Sequence, residues 1–149
     1  MARALSKDEL DNWRAWKRAT DAVWDQVAAS ITAASGLSAA DFSVLTRTVE
    51  GKQPVRQQDL ADDLEWSRSR LSRQVARMEE RGLVRRTATP SSTLVEATSD
   101  GRRLVTVARG AHAEAVRAAL LEHVAMEERE VFWRVVRALG TQAQAPRRS

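Results

Sequence analysis

Residues 57–86 constrain the fold more than any other stretch of this chain, because their pattern predicts two short helices, a tight turn and the start of a strand. The second helix is predicted to begin at Ser67, whose hydroxyl can accept a hydrogen bond from an N–H group of the first helical turn. Leu71, Val75 and Met78 follow at helical spacing and form one apolar stripe. That stripe must pack against a core, so the other side of the helix is left for solvent or a partner.

The opposite side of this second helix is cationic and carries no large apolar group. Its members, placed at about 100° per residue, are Ser69, Arg70, Arg73, Ala76 and Arg77. Residues 67–78 contain no acidic side chain, whereas a helix face that is merely solvated usually alternates the two signs of charge. Serine and arginine on one helix face can reach base edges and phosphates in a DNA major groove. A DNA-reading helix is the favoured interpretation, and a solvated arginine face is the alternative.

The excess positive charge of the chain lies in its middle. Residues 51–110 hold 12 Lys/Arg and 8 Asp/Glu, whereas the remaining residues hold 12 of each sign. The whole formal net charge of +4 therefore belongs to the segment that contains the cationic helix. Together with a sequence pI near 10.5, this distribution is typical of a protein that binds a polyanion.

Several classes of protein are disfavoured by what the sequence lacks. At 149 residues and 43% hydrophobic content it is expected to form one domain with a sizeable core. It has no cysteine, which excludes disulfides and thiolate zinc sites. No run of about 18 apolar residues predicts a membrane span, and residues 1–13 lack the apolar segment of a secretory signal, so a cytoplasmic protein without a membrane partner is expected.

Neither catalysis nor a metal or cofactor site is predicted. The sequence has no glycine-rich phosphate loop, no HExxH motif and no plausible set of nucleophile, base and orienting group. His112 and His123 are 11 residues apart, which separates them by about 16 Å along a helix. His123 and Glu127 have helical spacing, but a helix boundary is expected between them, so two solvated histidines are the simpler interpretation.

The N-terminal region is predicted to be helical. A helix is expected from Ser6 to Ile31, with Ser6 and Glu9 in the pattern of a capping box. It carries three tryptophans and is longer than a small core requires, so it is expected to pack partly against another chain. Ser38 is predicted to cap a second helix. The inward residues of that helix would be Phe42, Leu45 and Val49.

A short strand at Val55 and a β-hairpin are predicted around the helix pair. Gly82 is expected to end the second helix of the pair, and a strand begins at Leu83. Residues 89–93, which include a proline and two serines, would form the turn before a returning strand at 94–98.

Two further helices are predicted after the hairpin. Ser99 is expected to cap the first, and the second is expected to run from Met126 to Gly140. Residues 141–149 would form a flexible basic tail.

The order of these elements resembles the multiple-antibiotic-resistance regulator (MarR) family. The specific resemblance lies in DLADDLEWSRSRLSRQVARMEERGLVRR, residues 59–86, where the family has a leucine-alanine pair, a turn, a serine-capped recognition helix and ERGLV. The resemblance implies a mainly α fold with a small β-hairpin wing, namely a winged helix-turn-helix flanked by N- and C-terminal dimerisation helices. Residues 1–149 would be one domain, in which 6–36 and 99–140 dimerise and 38–98 bind DNA.

The resemblance also implies a function. The protein would be a homodimeric transcriptional regulator, more often a repressor, that binds a pseudo-palindromic operator in double-stranded DNA and is released by a small molecule. The implied DNA-binding residues are Arg56, Ser67, Arg68, Ser69, Arg70, Ser72, Arg73, Arg77, Arg85 and Arg86. The five tryptophans are expected in the core and dimer interface, and the alternative is a pocket for a phenolic or aromatic effector. The residues of such a pocket are not identified by the sequence.

Two positions depart from the family pattern. Arg56 stands where the family often has a serine or threonine cap, so that cap is lost or replaced by a phosphate contact. The wing segment TATPSSTLVEAT is short and lacks the basic tip that enters the minor groove. Two other functions therefore remain open: an architectural protein that binds DNA with weak sequence preference, and a winged helix that binds another protein.

Overall fold

The N-terminal helix, α1 (Lys7–Ser35), begins where its capping box predicts. In this computed structural model, which describes residues 3–51 and 53–144 and side chains up to residue 141, the Ser6 hydroxyl accepts the Glu9 N–H at 3.2 Å. The Glu9 carboxylate accepts the Ser6 N–H at 2.6 Å. Gly36, with a φ of 71°, ends the helix in the left-handed region, where glycine is favoured.

Helix α2 (Ala39–Glu50) has the predicted cap and inner face. The Ser38 hydroxyl accepts the Asp41 N–H at 3.0 Å. Leu45 is fully buried, whereas Phe42 and Val49 are partly buried against the same core.

The predicted pair of helices is formed by α3 (Gln57–Asp63) and α4 (Arg68–Glu80). The Ser67 hydroxyl caps α4 by accepting the Arg70 N–H at 3.2 Å. The apolar stripe of Leu71, Val75 and Met78 is completely buried. The helix-turn-helix prediction is therefore confirmed in its boundaries, its cap and its buried face.

The wing belongs to a three-stranded antiparallel sheet. Its strands are β1 (Val55–Arg56), β2 (Val84–Ala88) and β3 (Thr93–Ala97), in the order β1-β3-β2. The hairpin pairs Val84 with Ala97, and β1 adds to the other edge of β3. Gly82, with a φ of 70°, makes the predicted break between α4 and β2.

Helix α5 (Ser99–Ala119) corrects the predicted cap at Ser99. The N-cap is Thr98, whose hydroxyl accepts the Gly101 N–H at 3.1 Å. Either hydroxyl suits this role by residue type, but the backbone of Thr98 also donates to the Leu83 carbonyl at 3.1 Å, which fixes the point where the chain leaves the sheet.

The C-terminal helix, α6 (Arg129–Gln144), corrects the predicted boundary at Gly140. Two short 3-10 turns, Leu121–His123 and Met126–Glu128, precede it. Gly140 lies inside the helix, because a glycine in an exposed helix costs only about 1 kcal/mol and does not by itself end it. Residues 141–144 are therefore helical, and the rest of the predicted tail lies outside the described residues.

The core lies between the helix-turn-helix, the sheet and the packed pair α1 and α5. Helix α6 stands largely apart, since its main contact is with the 3-10 turn that precedes it. Within the described ranges no single helix is long and apolar enough to cross a membrane, although α1 and α2, bent by 73°, meet the length and composition test as a pair.

Candidate nucleic-acid interface

The outer face of α4 presents a row of exposed cationic and hydroxyl side chains. Ser69, Arg70, Arg73 and Arg77 are exposed on it, and Ser72 is partly buried. Among the side chains that the structure describes, no acid forms an ion pair with Arg68, Arg70, Arg73 or Arg77. The acids of the described residues therefore do not neutralise the positive charge of this face through ion pairs.

The first turn of α4 is ordered by contacts among its own side chains. The Arg70 guanidinium lies over the Trp66 ring, 3.9 Å from its centroid. Stacking on an aromatic ring orients a guanidinium without removing its charge. The Ser67 and Ser69 hydroxyls are 3.3 Å apart. The start of the helix thus offers a positioned arginine beside two small polar groups.

A buried polar cluster, which sequence reasoning missed, lies behind α4. Asp41 accepts hydrogen bonds from Gln74 at 2.7 Å and from Arg81 at 2.6 Å, and Gln74 in turn accepts one from Arg77. Arg81 also donates to the carbonyl of Gly36 at 3.2 Å. One cluster therefore joins the end of α1 and the start of α2 to α4.

The base of the wing has one exposed arginine and one that is held internally. Arg85 is exposed, whereas Arg86 donates through Nε to Glu79 at 2.9 Å and through its backbone N–H at 2.8 Å. These two hydrogen bonds from Arg86 hold the pKa of the Glu79 carboxyl below its ordinary value. Glu79 therefore fixes the position of the Arg86 side chain, while the Arg85 side chain is exposed to solvent.

Helix α3, which follows Arg56, and the wing tip border a polar groove beside the start of α4. Arg56 is exposed and makes no side-chain cap for α3, which confirms that the usual cap is lost. The groove has a volume of about 340 Å³. Its lining residues are Gln57, Gln58, Ala61, Arg68, Ser91, Ser92 and Thr93. At the tip, the Thr89 hydroxyl is held by the Ser92 backbone, so the wing ends in a neutral turn.

The histidines are placed differently from each other. His112 on α5 stacks against Phe42 of α2, with ring centroids 5.0 Å apart, whereas His123 is exposed. In the part of the chain that the structure describes, no three His, Asp or Glu side chains are placed to hold a metal ion.

A second surface, on the flanking helices, is apolar. Trp24 of α1 is 72% exposed, and Val131, Val135 and Leu139 of α6 are about half exposed. A groove of about 820 Å³ between α1, the end of α5 and α6 continues this surface. An exposed apolar surface of this kind on long helices typically marks a protein interface.

The model of the MarR family matches residues 35–92, which extend from the end of α1 to the wing tip. The structure resembles that of Sco3205, a MarR family transcriptional regulator from Streptomyces coelicolor solved in complex with DNA. The two proteins have 25% identity and a TM-score of 0.85, over 99% of this chain and 96% of the Sco3205 chain. CouR from Rhodococcus jostii RHA1, solved bound to p-coumaroyl-CoA, is 27% identical, with a TM-score of 0.73 and coverage of 99% and 100%. No curated protein sequence gives a significant match.

AbsC, another MarR family transcriptional regulator from S. coelicolor, has a TM-score of 0.85 and 24% identity, with 96% of this chain and 99% of that chain covered. At that identity the likeness supports the fold alone. The mainly helical architecture with its small antiparallel sheet is that of these regulators. The sequence match over residues 35–92 and the structural likeness over nearly the whole chain together show that this protein is similar to the MarR family of winged helix-turn-helix transcriptional regulators.

Proposed function

We propose that this protein is a homodimeric repressor that binds a pseudo-palindromic operator and releases it when an aromatic small molecule binds. The observation that carries the proposal is the exposed face of α4, whose arginines have no acidic partner among the described residues. Such a face is suited to the major groove, where arginine can bind guanine bidentately and phosphates electrostatically. The protein would act on DNA in the cytoplasm and would have no enzymatic activity.

Within this proposal, residues of the interface divide by what they can reach. Arg70 and Arg73, which lie in the first half of α4, are assigned to guanine or phosphate, and Ser69 and Ser72 to base edges. The remaining proposed contacts, at the starts of α3 and α4, in the second half of α4 and at the wing base, are assigned to phosphates. These contacts belong to Arg56, Ser67, Arg68, Arg77, Arg85 and Arg86.

Dimerisation is supported by the apolar surface of α1 and α6. Trp24 and Val135 are 72% and 51% exposed, and α6 has little packing of its own within the chain. A helix with an unpacked apolar face gains stability when a second copy covers that face. Two copies related by a two-fold axis would place their recognition helices in successive major grooves, about 10 base pairs apart.

The effector part of the proposal is supported by a related regulator. CouR, at 27% identity, was solved bound to p-coumaroyl-CoA, which contains an aromatic acyl group. The apolar groove beside α6 has room for a group of that size. An aromatic acid or its thioester is therefore the class of effector to screen.

Two alternatives make different predictions for binding. An architectural protein would bind DNA mainly through phosphates, with little sequence preference and a steep dependence on salt. The neutral wing tip favours this alternative, because it offers no arginine for the minor groove. A protein-binding winged helix would bind its partner with an affinity that does not depend on Arg70 or Arg73.

The experiment that tests the proposal is selection of bound fragments from the source genome, with competitor DNA at physiological salt. Recovery of a short inverted repeat is the expected result, and release of that repeat then serves as the assay for aromatic effectors. Diffuse recovery without a shared motif would instead support the architectural alternative. No recovery at all would exclude a DNA-binding regulator that is active in its free form.

A further inference from the structure

The orientation of the Gln74 side-chain amide is dictated by Asp41. Asp41 is 1% exposed and Gln74 is 5% exposed, so their polar atoms must form hydrogen bonds with protein groups rather than with bulk water. An ionised carboxylate only accepts hydrogen bonds, which requires the NH2 group of Gln74 to face Asp41. The Gln74 carbonyl oxygen therefore faces away from Asp41, where it accepts the Arg77 guanidinium.

Arg77 is thus held in place by a neutral group. Asp41 already has a cationic partner, because its other oxygen lies 2.6 Å from Nη1 of Arg81. That oxygen also accepts the Ser38 N–H at 2.9 Å. Arg81 balances the negative charge of Asp41. Gln74 is neutral, so it orients Arg77 without placing a negative charge beside it. Arg77 keeps its full positive charge while one end of its guanidinium is fixed.

An anchored arginine binds a phosphate more tightly than a mobile one. Arginine has a long side chain, and immobilising it on binding has an entropic cost that prior ordering removes. Arg77 is exposed on the same helix as Arg70 and Arg73 but lies one turn closer to its C-terminal end, where a helix in the major groove approaches the phosphate backbone.

We propose that Asp41 is a positioning residue of the DNA interface: through Gln74, it orders Arg77 for a phosphate contact that Asp41 itself does not make. This inference rests on the proposed function, since it requires that α4 bind DNA. It assigns a DNA-binding role to a buried acid on α2 and to an amide on the inner side of the recognition helix.

The test is a double-mutant cycle of Asp41→Asn with Arg77→Ala. The affinity of each variant for a labelled mixed-sequence duplex is measured at several salt concentrations, because a phosphate contact does not require a particular sequence. Asp8→Asn, at an exposed position in the first turn of α1, is the control for the change in net charge. Urea unfolding of each variant separates loss of binding from loss of folded protein.

Arg77→Ala is expected to reduce affinity by roughly 3- to 10-fold and to reduce the steepness of log K against log salt by about 0.9. Asp41→Asn is expected to reduce affinity by a similar factor in the wild-type background and by less than about 2-fold in the Arg77→Ala background. A purely structural role of Asp41 would give equal reductions in the two backgrounds, and that result would overturn the inference.

Gln74→Met provides a second variant if Asp41→Asn does not fold. It removes the link to Arg77 but leaves the contacts of Asp41 with Ser38 and Arg81. Its effect on affinity is also expected to vanish in the Arg77→Ala background. If wild type binds the duplex and Arg77→Ala binds equally well, this inference is wrong while the proposed function stands. If wild type binds neither this duplex nor any fragment selected from the source genome, both are wrong.

Discussion

The Glu79 carboxylate joins the recognition helix to the base of the wing by accepting two hydrogen bonds from Arg86. Oε1 of Glu79 accepts a hydrogen bond from the Arg86 backbone N–H at 2.8 Å, and Oε2 accepts one from the Arg86 Nε–H at 2.9 Å. The pair is about one-third exposed, so water screens it only in part. Because Glu79 lies on α4 and Arg86 on β2, the pair fixes the angle at which the wing leaves the helix.

The Glu79–Arg86 contact predicts an acid-dependent loss of stability. The pKa of Glu79 is lower in the folded protein than in the unfolded chain, so its stabilising contribution is complete above the unfolded pKa, about 4.3. That contribution is lost as pH falls through the lower, folded pKa. Glu79→Gln is expected to reduce the free energy of unfolding by about 0.5–1 kcal/mol at pH 7.

Urea unfolding at a series of pH values would measure this difference. The difference in unfolding free energy between wild type and Glu79→Gln should shrink below about pH 4, since wild-type Glu79 is then increasingly protonated. Glu80→Gln, at the exposed neighbouring position of α4, is the control. Equal effects of the two substitutions at pH 7 would contradict a specific role for Glu79.

Any side chain at position 101 is predicted to lower the stability of the protein. A Cβ placed there would lie 2.1 Å from the carbonyl oxygen of Leu83 and 3.1 Å from a methyl carbon of Leu45. Gly101→Ala therefore requires the start of α5 to move away from the sheet, which is expected to reduce stability by about 1–3 kcal/mol.

Gly110→Ala is the matched control in the same helix. A Cβ at Gly110 meets no atom within 4 Å, so the substitution is expected to stabilise the protein by about 0.5–1 kcal/mol through helix propensity. Thermal or urea unfolding of the two variants would measure both effects. Destabilisation by Gly110→Ala, or an unchanged stability of Gly101→Ala, would show that α5 does not pack against the sheet in this way.

Arg73 is predicted to be a main determinant of operator affinity. It is exposed in the middle of the cationic face and is not engaged by an acid among the described residues. Arg73→Ala is expected to reduce the affinity for the operator by about 1–3 kcal/mol while leaving the dimer intact. Fluorescence anisotropy with a labelled operator would measure this.

Arg103→Ala is the charge-matched control for Arg73, because Arg103 is an exposed arginine on α5, 3.6 Å from Asp100. It is expected to change affinity by less than about 0.5 kcal/mol. Wild-type affinity in Arg73→Ala would show that a different side of α4 faces DNA.

The apolar surface of α6 is predicted to hold the dimer together. Val135 is 51% exposed in the single chain, and burying a charge there on association would be costly. Val135→Asp is expected to produce monomers with weakened operator binding, as measured by sedimentation equilibrium. Ala39→Asp, which adds the same charge at an exposed position in the first turn of α2, is the control. A dimer that survives Val135→Asp would exclude this face as the interface.

Local patterns predicted most of the helices because their signals lie within a few residues of each other. Ser6, Ser38 and Ser67 all cap the helices that follow them, and the stripe on α4 is buried as expected. The errors at Ser99 and Gly140 concern helix ends, where neighbouring residues of similar propensity compete. In the first case a contact of Thr98 with the distant Leu83 decides the boundary.

The Asp41 cluster could not be assembled from the sequence, because Asp41 and Gln74 are 33 residues apart. One signal was available, however. Gln74 falls on the buried side of α4 beside Leu71, Val75 and Met78, and a polar residue in an apolar stripe requires a partner. The Glu79–Arg86 pair was missed for a similar reason, since only the turn at Gly82 brings helix and strand together.

The most direct test of a two-fold dimer on DNA is to change the distance between the two halves of the operator. Inserting about 5 base pairs between the half-sites places the second half on the opposite side of the duplex, out of reach of the second recognition helix. The affinity for the lengthened operator, measured by anisotropy, is expected to fall to that of a single half-site. Undiminished affinity would contradict binding by two recognition helices in successive major grooves.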